Sequence, residues 1–271
     1  MEARVLARVR SEVREMVLEQ FEYWELLYVM SLRDLQLRYK QTIMGFGWAV
    51  FMPLLNTILF SVIFTKVAKL DVGVAYPVFA YCGLLAWNLT ASALRFSVSS
   101  LTANINLVAK VYFPREIFPF SAVFVSVVDF GVGTILLAVM MIYYQVPVTP
   151  AILFLPVVIL VQVTFTAGVA LFLAMANLFF RDVKYLFEVV ITLWMFASSV
   201  LYPLNNLSGA AKVISTLNPM TPILDAYRSV ILYGQLPPLG EFGLVALASL
   251  AILGGAWLMF HRSEYQFAEF I

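Results

Sequence analysis

Apolar residues run through this chain in long blocks, not in the alternating or one-sided patterns of a soluble domain. A helix needs about 20 mostly apolar residues to cross a bilayer. Six stretches approach that length: Trp48 to Val67, Pro77 to Leu94, Ile117 to Tyr144, Ile152 to Phe179, Val183 to Tyr202 and Phe242 to Phe260. The pattern predicts an all-α integral membrane protein of six transmembrane helices, with both ends on one side. Ahead of the first block, Val5, Val9, Val13, Met16 or Val17, Phe21, Trp24 and Tyr28 recur every three to four residues, with acids and arginines on the other face. That spacing predicts an amphipathic helix. Its aromatic end suits the membrane interface; docking on a partner, or a plain solvated helix, also fits.

Two segments interrupt the blocks. Pro203 to Glu241 is the only long connection. In it Thr221 and Pro222 read as helix cap and first turn, Ile223, Tyr227 and Ile231 repeat at four, and Gly234, Pro237 and Pro238 stop the helix. Ser208 to Leu217 supplies another short helix, ending at Asn218 and Pro219. Too short to cross and too apolar to float, the two predict a re-entrant pair over the outer mouth, with a surface loop as the alternative. The segment Leu101 to Glu116, LTANINLVAKVYFPRE, predicts a short helix whose Tyr112 and Phe113 need a cover. A protein partner or lipid headgroups supply one.

Composition agrees: 62% hydrophobic and 12% charged residues exclude an ordinary soluble domain, which carries about 25% charged residues. Orientation follows from Lys and Arg in the connections. Arg33, Arg38, Lys40, Lys110, Arg115, Arg181, Lys184 and Arg262 fall on one side, and Lys66, Lys69, Lys212 and Arg228 on the other. The excess assigns both termini to the cytoplasm. No basic face for nucleic acid stands out. Cys82 alone excludes an intrachain disulfide, and with a single His no metal site is expected.

Covalent chemistry has no support, because neither a phosphate-binding GxxxxGK[ST] loop nor a nucleophile–base or paired-carboxylate constellation occurs. Within the spans stand Asp129 and Glu188. They fit a proton relay or ion pairs with neighbouring helices. Aromatic residues sit beside small polar groups at Tyr81, Trp87 and Asn88, and at Trp194, Phe196, Ser198, Ser199 and Tyr202. Rings that stack on sugar faces, with amides and hydroxyls for their edges, suit a saccharide path; ordinary helix packing uses the same residues.

The segments LRDLQLRYKQTIMGFGWAVFMPLL, YPVFAYCGLLAWN, NINLVAKVYFPREIFPFSAV, NLFFRDVKYLF and ASSVLYPL, in that order, resemble the permease subunits of type-2 ATP-binding-cassette exporters for polysaccharides and polyol phosphates. Among these the O-antigen permeases are nearest, with capsule and teichoic-acid permeases as siblings. The resemblance implies a homodimer in the bacterial inner membrane, bound to two copies of a separate ATPase that holds ATP and Mg, and exporting a lipid-linked glycan. No cofactor is expected on this chain.

By the same resemblance, residues 1–47 form a cytoplasmic segment with an interface helix, 48–261 the six-span domain and 262–271 a cytoplasmic tail. Within these, 101–116 would be a coupling helix that meets the ATPase through Asn104, Asn106, Lys110, Tyr112, Phe113 and Arg115. The stretch 203–241 would be an outer gate with Pro219, Thr221 and Tyr227. The first and fifth spans would line the path. Arg33, Arg38 and Lys40 would lie where an anionic pyrophosphate-lipid head comes in, or serve only as topological anchors. A small-molecule exporter of the same superfamily and a proton-coupled carrier are the alternative readings.

Overall fold

The computed structural model describes residues 18–40, 42–45, 47–67, 72–110, 113–203 and 217–269, with Met16 and Gly209. The predicted stripe from Val5 to Val13, Lys69, Tyr112, Lys212 and most of the Ser208 to Leu217 helix lie outside the described residues. Among the described residues, ten α-helices follow in order: α1 (Trp24–Tyr39), α2 (Gly47–Val62), α3 (Tyr76–Val98), α4 (Ser100–Ala103), α5 (Ile105–Lys110), α6 (Ile117–Tyr143), α7 (Leu155–Phe179), α8 (Val183–Ala197), α9 (Met220–Ile231) and α10 (Leu239–Ser263). A π turn, Ile63–Val67, extends α2. Tighter 3-10 turns precede α7 (Pro150–Phe154) and follow α10 (Glu264–Glu269).

Among the described residues, five helical segments are long and apolar enough to cross a bilayer: Gly47–Thr65, Tyr76–Val98, Ile117–Tyr143, Pro150–Phe179 and Leu239–Phe267. The chain is an all-α membrane protein. The stretch Val183 to Tyr202 departs from the expected full-length span. Its helix, α8, has 15 residues, about 22 Å against a hydrocarbon core of about 30 Å. The backbone becomes extended at Ser198, and Val200 and Leu201 fold back into the protein core. An apolar run read along the chain does not reveal that its last turn is spent on internal packing.

At the centre lies α3, buried along most of its length and packed against α6, α7 and α2. Its small residues, Ala80, Gly83, Ala86, Ala91 and Ala93, let neighbouring helices approach closely, the usual device where lipid offers no hydrophobic drive. By contrast α2 and α10 turn most of their surface outward. At Gly168 of α7 a Cβ would stand 2.8 Å from both Cα and N of Leu253 in α10. Gly168→Val is therefore expected to force the helices apart and cost about 1–3 kcal/mol, read as a lower melting temperature of the detergent-solubilised protein; unchanged melting would refute the contact.

Residues around α1 show how it is seated. Tyr23, Leu26, Leu27 and Met30 pack against the cluster formed by Phe118, Phe260 and Phe267, whereas Phe21, Trp24 and Tyr28 are exposed. Near the other end of the chain α9 is buried against α3 and α7. The helix begins two residues earlier than expected, at Met220. Thr221 is not its cap: the Asn218 carboxamide oxygen accepts the Met220 N–H at 3.0 Å. The stop agrees with the sequence signal, with Gly234 at φ +65°, a conformation that favours glycine.

Candidate functional site

The C-terminal end of α1 runs into the bundle and closes one side of a cavity of about 460 Å³. Its polar lining is Arg38, Asn56, Asn88, Ser92, Arg95 and Asp129, and Trp48, Phe96 and Phe130 add aromatic surface. Arg38 is the organising group. Its guanidinium pairs with Asp129 Oδ2 and lies over the Phe96 ring, 3.7 Å from the centroid. Tyr39 Oη donates to Asp129 Oδ1 at 2.5 Å. Asp129 stands near the middle of α6, and both its oxygens are engaged, as an intramembrane carboxylate requires. Arg38 has donors beyond the one used by Asp129, and its side chain is part of the cavity lining. Burial and the Asp129 charge beside it push the Tyr39 hydroxyl well above its ordinary pKa, so it remains a donor.

The other predicted head-group residues separate. Arg33 donates to Asp34 Oδ1 at 2.8 Å and to Asn104 Oδ1 at 3.1 Å, and Asp34 accepts from Ser121 at 2.7 Å. These bonds tie α1 to the α4–α5 corner and to α6. Lys40 is exposed. Glu188 pairs with Arg95 at 3.2 Å on an exposed surface, so each of the two acids considered for a proton relay has a cation beside it.

Much of the aromatic path predicted from the sequence lies in the interior of the subunit instead of on an open surface. Tyr81 is fully buried and donates to Gly133 O at 2.9 Å. Trp87 is buried and meets Trp194 edge-on at 5.7 Å between centroids. Trp194 Nε1 donates to Asn218 Oδ1 at 2.9 Å, and Asn218 Nδ2 donates to Ser198 Oγ at 2.7 Å. Ser198 and Ser199 have no exposed surface. Of the group only Asn88 borders the cavity. Phe196 is exposed, and its carbonyl accepts from Tyr202 at 2.6 Å.

At the coupling segment, Asn106 and Lys110 are exposed and Asn104 half-buried. Phe113, expected to need a partner's cover, is covered by the chain itself: it is buried with its ring 5.5 Å from that of Phe118. Arg115 also turns inward, donating to Val108 O and Glu264 O. Among the described residues of this segment, the surface open to another protein is therefore the Asn106 and Lys110 side.

A feature missed in the sequence lies by α9. Arg228, counted there among outer-loop charges, is 2% exposed. Its Nη1 donates to Ser199 O at 2.5 Å and its Nη2 to Val200 O at 2.6 Å, while Tyr76 Oη donates to Leu201 O at 2.8 Å. Three successive carbonyls following α8 are thus bound by a cation and a phenol. Phe79 lies under the guanidinium at 3.8 Å, and Asp225 is 3.5 Å away. Gly83 makes the space: a Cβ there would stand 2.4 Å from Val200 O and 2.6 Å from Arg228 Nη2. The predicted gate residue Tyr227 is buried against Phe130, Thr221 is buried and Pro219 half-buried. The signal available in the sequence was an Arg on the apolar repeat of a helix, next to Tyr227.

Comparisons with known proteins now bear on this arrangement. The chain is 32% identical over 259 residues to the O-antigen export system permease protein RfbA of Myxococcus xanthus, covering 94% of this chain and 99% of that one. Two proteins of the same name from Klebsiella pneumoniae are 27% and 28% identical, each covering 92% of this chain and 95% of its own length. Residues 25–232 match the family described as ABC-2 type transporter. With its membrane-spanning helices and that match over most of its length, the chain belongs to the ABC-2 type transporter family, as a membrane permease subunit.

Proposed function

We propose that this subunit, as a homodimer in the bacterial inner membrane with two copies of an ATPase subunit, exports a lipid-linked polysaccharide of the O-antigen kind from the cytoplasm. The observation that carries the reading is the cavity at Arg38. It combines cations suited to a phosphate-bearing head with aromatic and amide groups suited to sugar, beside a helix, α2, that leaves most of its surface outside the subunit. The names of the relatives support the same substrate class. Pairing two subunits along α2 and α8 would place two such cavities along one path, with Phe196 facing it.

Coupling would run through α4 and α5. Beside them is a cleft of about 340 Å³ lined by Thr102, Ile105, Asn177, Arg181 and Lys184, which together with Asn106 and Lys110 forms a polar, cationic seat for the ATPase. ATP and Mg belong to that partner. Movement of this corner would pass to α1 through the Arg33–Asn104 bond and so to the cavity. Burial of Arg228 leaves fewer solvent-facing cations on the outer side, which supports the reading that both termini lie in the cytoplasm.

The test is co-purification of the tagged subunit with an ATPase subunit and reconstitution into vesicles holding lipid-linked glycan. A stoichiometric ATPase partner and ATP-dependent glycan movement are expected. Asn106→Asp with Lys110→Glu should weaken capture of the ATPase by more than about tenfold, a loss of over about 1.4 kcal/mol of binding. Phe113→Ala should lower thermal stability and leave capture of the folded fraction unchanged. A dimer indifferent to ATP would overturn the reading. Transport of small solutes without glycan would favour a small-molecule exporter of the same superfamily.

A further inference from the structure

We propose that Glu116, His261 and Glu264 form a binding site for a divalent transition-metal ion of the zinc class, at the end of the bundle where the α5 corner passes into α6. One ligand atom from each lies within 4.8 Å of the other two. His261 Nδ1 is 3.5 Å from Glu116 Oε1 and 4.0 Å from Glu264 Oε2. Donors bound at about 2.0–2.1 Å to a tetrahedral zinc lie about 3.4 Å apart, so a small contraction would complete the three-donor set.

A second observation points to a ligand. Glu116 is 1% exposed, yet its Oε2 has no hydrogen-bond partner among the described residues, and neither has His261 Nδ1. A buried carboxylate oxygen without a partner is costly. An ion pair with the imidazole would account for Oε1 and leave Oε2 unexplained; a metal chelated by both Glu116 oxygens and bound by the imidazole accounts for both. Arg115 supplies the outer support. Its backbone N–H donates to Glu264 Oε1 at 3.1 Å and its guanidinium to Glu264 O at 2.9 Å, which leaves Oε2 toward His261, the arrangement by which outer groups orient metal ligands.

His261 and Glu264 border a cavity of about 130 Å³ that Glu19 and Glu22 also line, so a further carboxylate or a water can reach the ion from that side. Imidazole with carboxylates suits zinc, cobalt, nickel or iron, whereas magnesium and calcium prefer oxygen alone. Bound there, the ion would brace the start of α6 against the end of α10, directly behind the coupling segment.

The full-length protein, carrying a tag without histidine, is stripped with EDTA in detergent and titrated with CoCl2, and X-ray absorption is recorded at the cobalt edge. One equivalent with a bound imidazole and carboxylate oxygens is expected, and the chain has a single His, so that imidazole can only be His261. Glu116→Gln and His261→Gln should each weaken binding by more than about tenfold, and ZnCl2 should raise the melting temperature of the wild type alone. Should either variant fail to fold, the wild-type spectrum decides. Coordination by oxygen only, binding undiminished in a folded His261→Gln variant, or no bound cobalt would each overturn the proposal.

Discussion

Arg228→Met is expected to lower the melting temperature of the purified subunit by on the order of 10 °C, or to prevent its accumulation. The substitution keeps an unbranched apolar stem over Phe79 and removes every donor. Ser199 O and Val200 O, bound at 2.5 and 2.6 Å, are then left buried, at about 1–3 kcal/mol for an orphaned group. Asp225 also loses its cation, at a cost below the about 3–5 kcal/mol of a fully buried pair, because its side chain is one-third exposed. Arg228→Lys should recover little, because one ammonium cannot reproduce a planar fork that meets two carbonyls. Gly83→Ala attacks the same turn from α3, since its Cβ would overlap Val200 O and the guanidinium. Once Arg228 is Met, adding Gly83→Ala should cost less than it does alone, as for neighbours sharing one network. Additive losses would mean that the two sites act independently, and an unchanged melting temperature in Arg228→Met would show that the turn after α8 is held by other contacts.

The helices were legible in the sequence because a bilayer makes a simple demand: enough consecutive apolar residues, with cations in the connections. Five of the six predicted stretches contain or form helices of spanning length. The stretch from Val183 to Tyr202 satisfied the count of apolar residues, yet Ser198 to Leu201 serve a tertiary contact that composition cannot express. The site was less legible for a related reason. The Arg38–Asp129 pair joins positions 91 residues apart, and only the packing of α1 on α6 makes them neighbours. Arg228 was sorted with solvent-facing charges because its carbonyl partners are backbone atoms, which have no signature in sequence. Phe113 read as exposed because a short helix gives no sign that Phe118, after Pro114, folds over it. Even the lone His261, with Glu264 three residues on, gained the buried Glu116 from a distant segment.

Export should depend on Arg38 and tolerate the loss of charge at Asp129. In Asp129→Asn an oxygen still accepts from Tyr39 or Arg38, and the freed guanidinium remains stacked on Phe96 and open to the cavity. Export by the reconstituted complex is expected to fall by less than about tenfold, equivalent to about 1.4 kcal/mol of barrier. Arg38→Met is different in kind. It removes the cation that would receive a phosphate and strands Asp129 near the middle of α6 with only the Tyr39 hydroxyl, a loss of about 3–5 kcal/mol. Folding and transport separate in the double variant Arg38→Met with Asp129→Asn, which buries no unpaired charge. Its thermal stability should return toward wild type, while glycan movement should stay more than about a hundredfold down, a barrier increase above about 2.7 kcal/mol. Recovery of export in that variant would make Arg38 a structural counter-ion only. If Asp129→Asn alone abolished transport at full stability, the carboxylate would itself be required and a proton-coupled mechanism would regain its footing. Arg38→Lys refines the assignment: it keeps the charge and loses the planar stack on Phe96, so an intermediate export rate would indicate that the guanidinium's geometry, as well as its charge, receives the substrate.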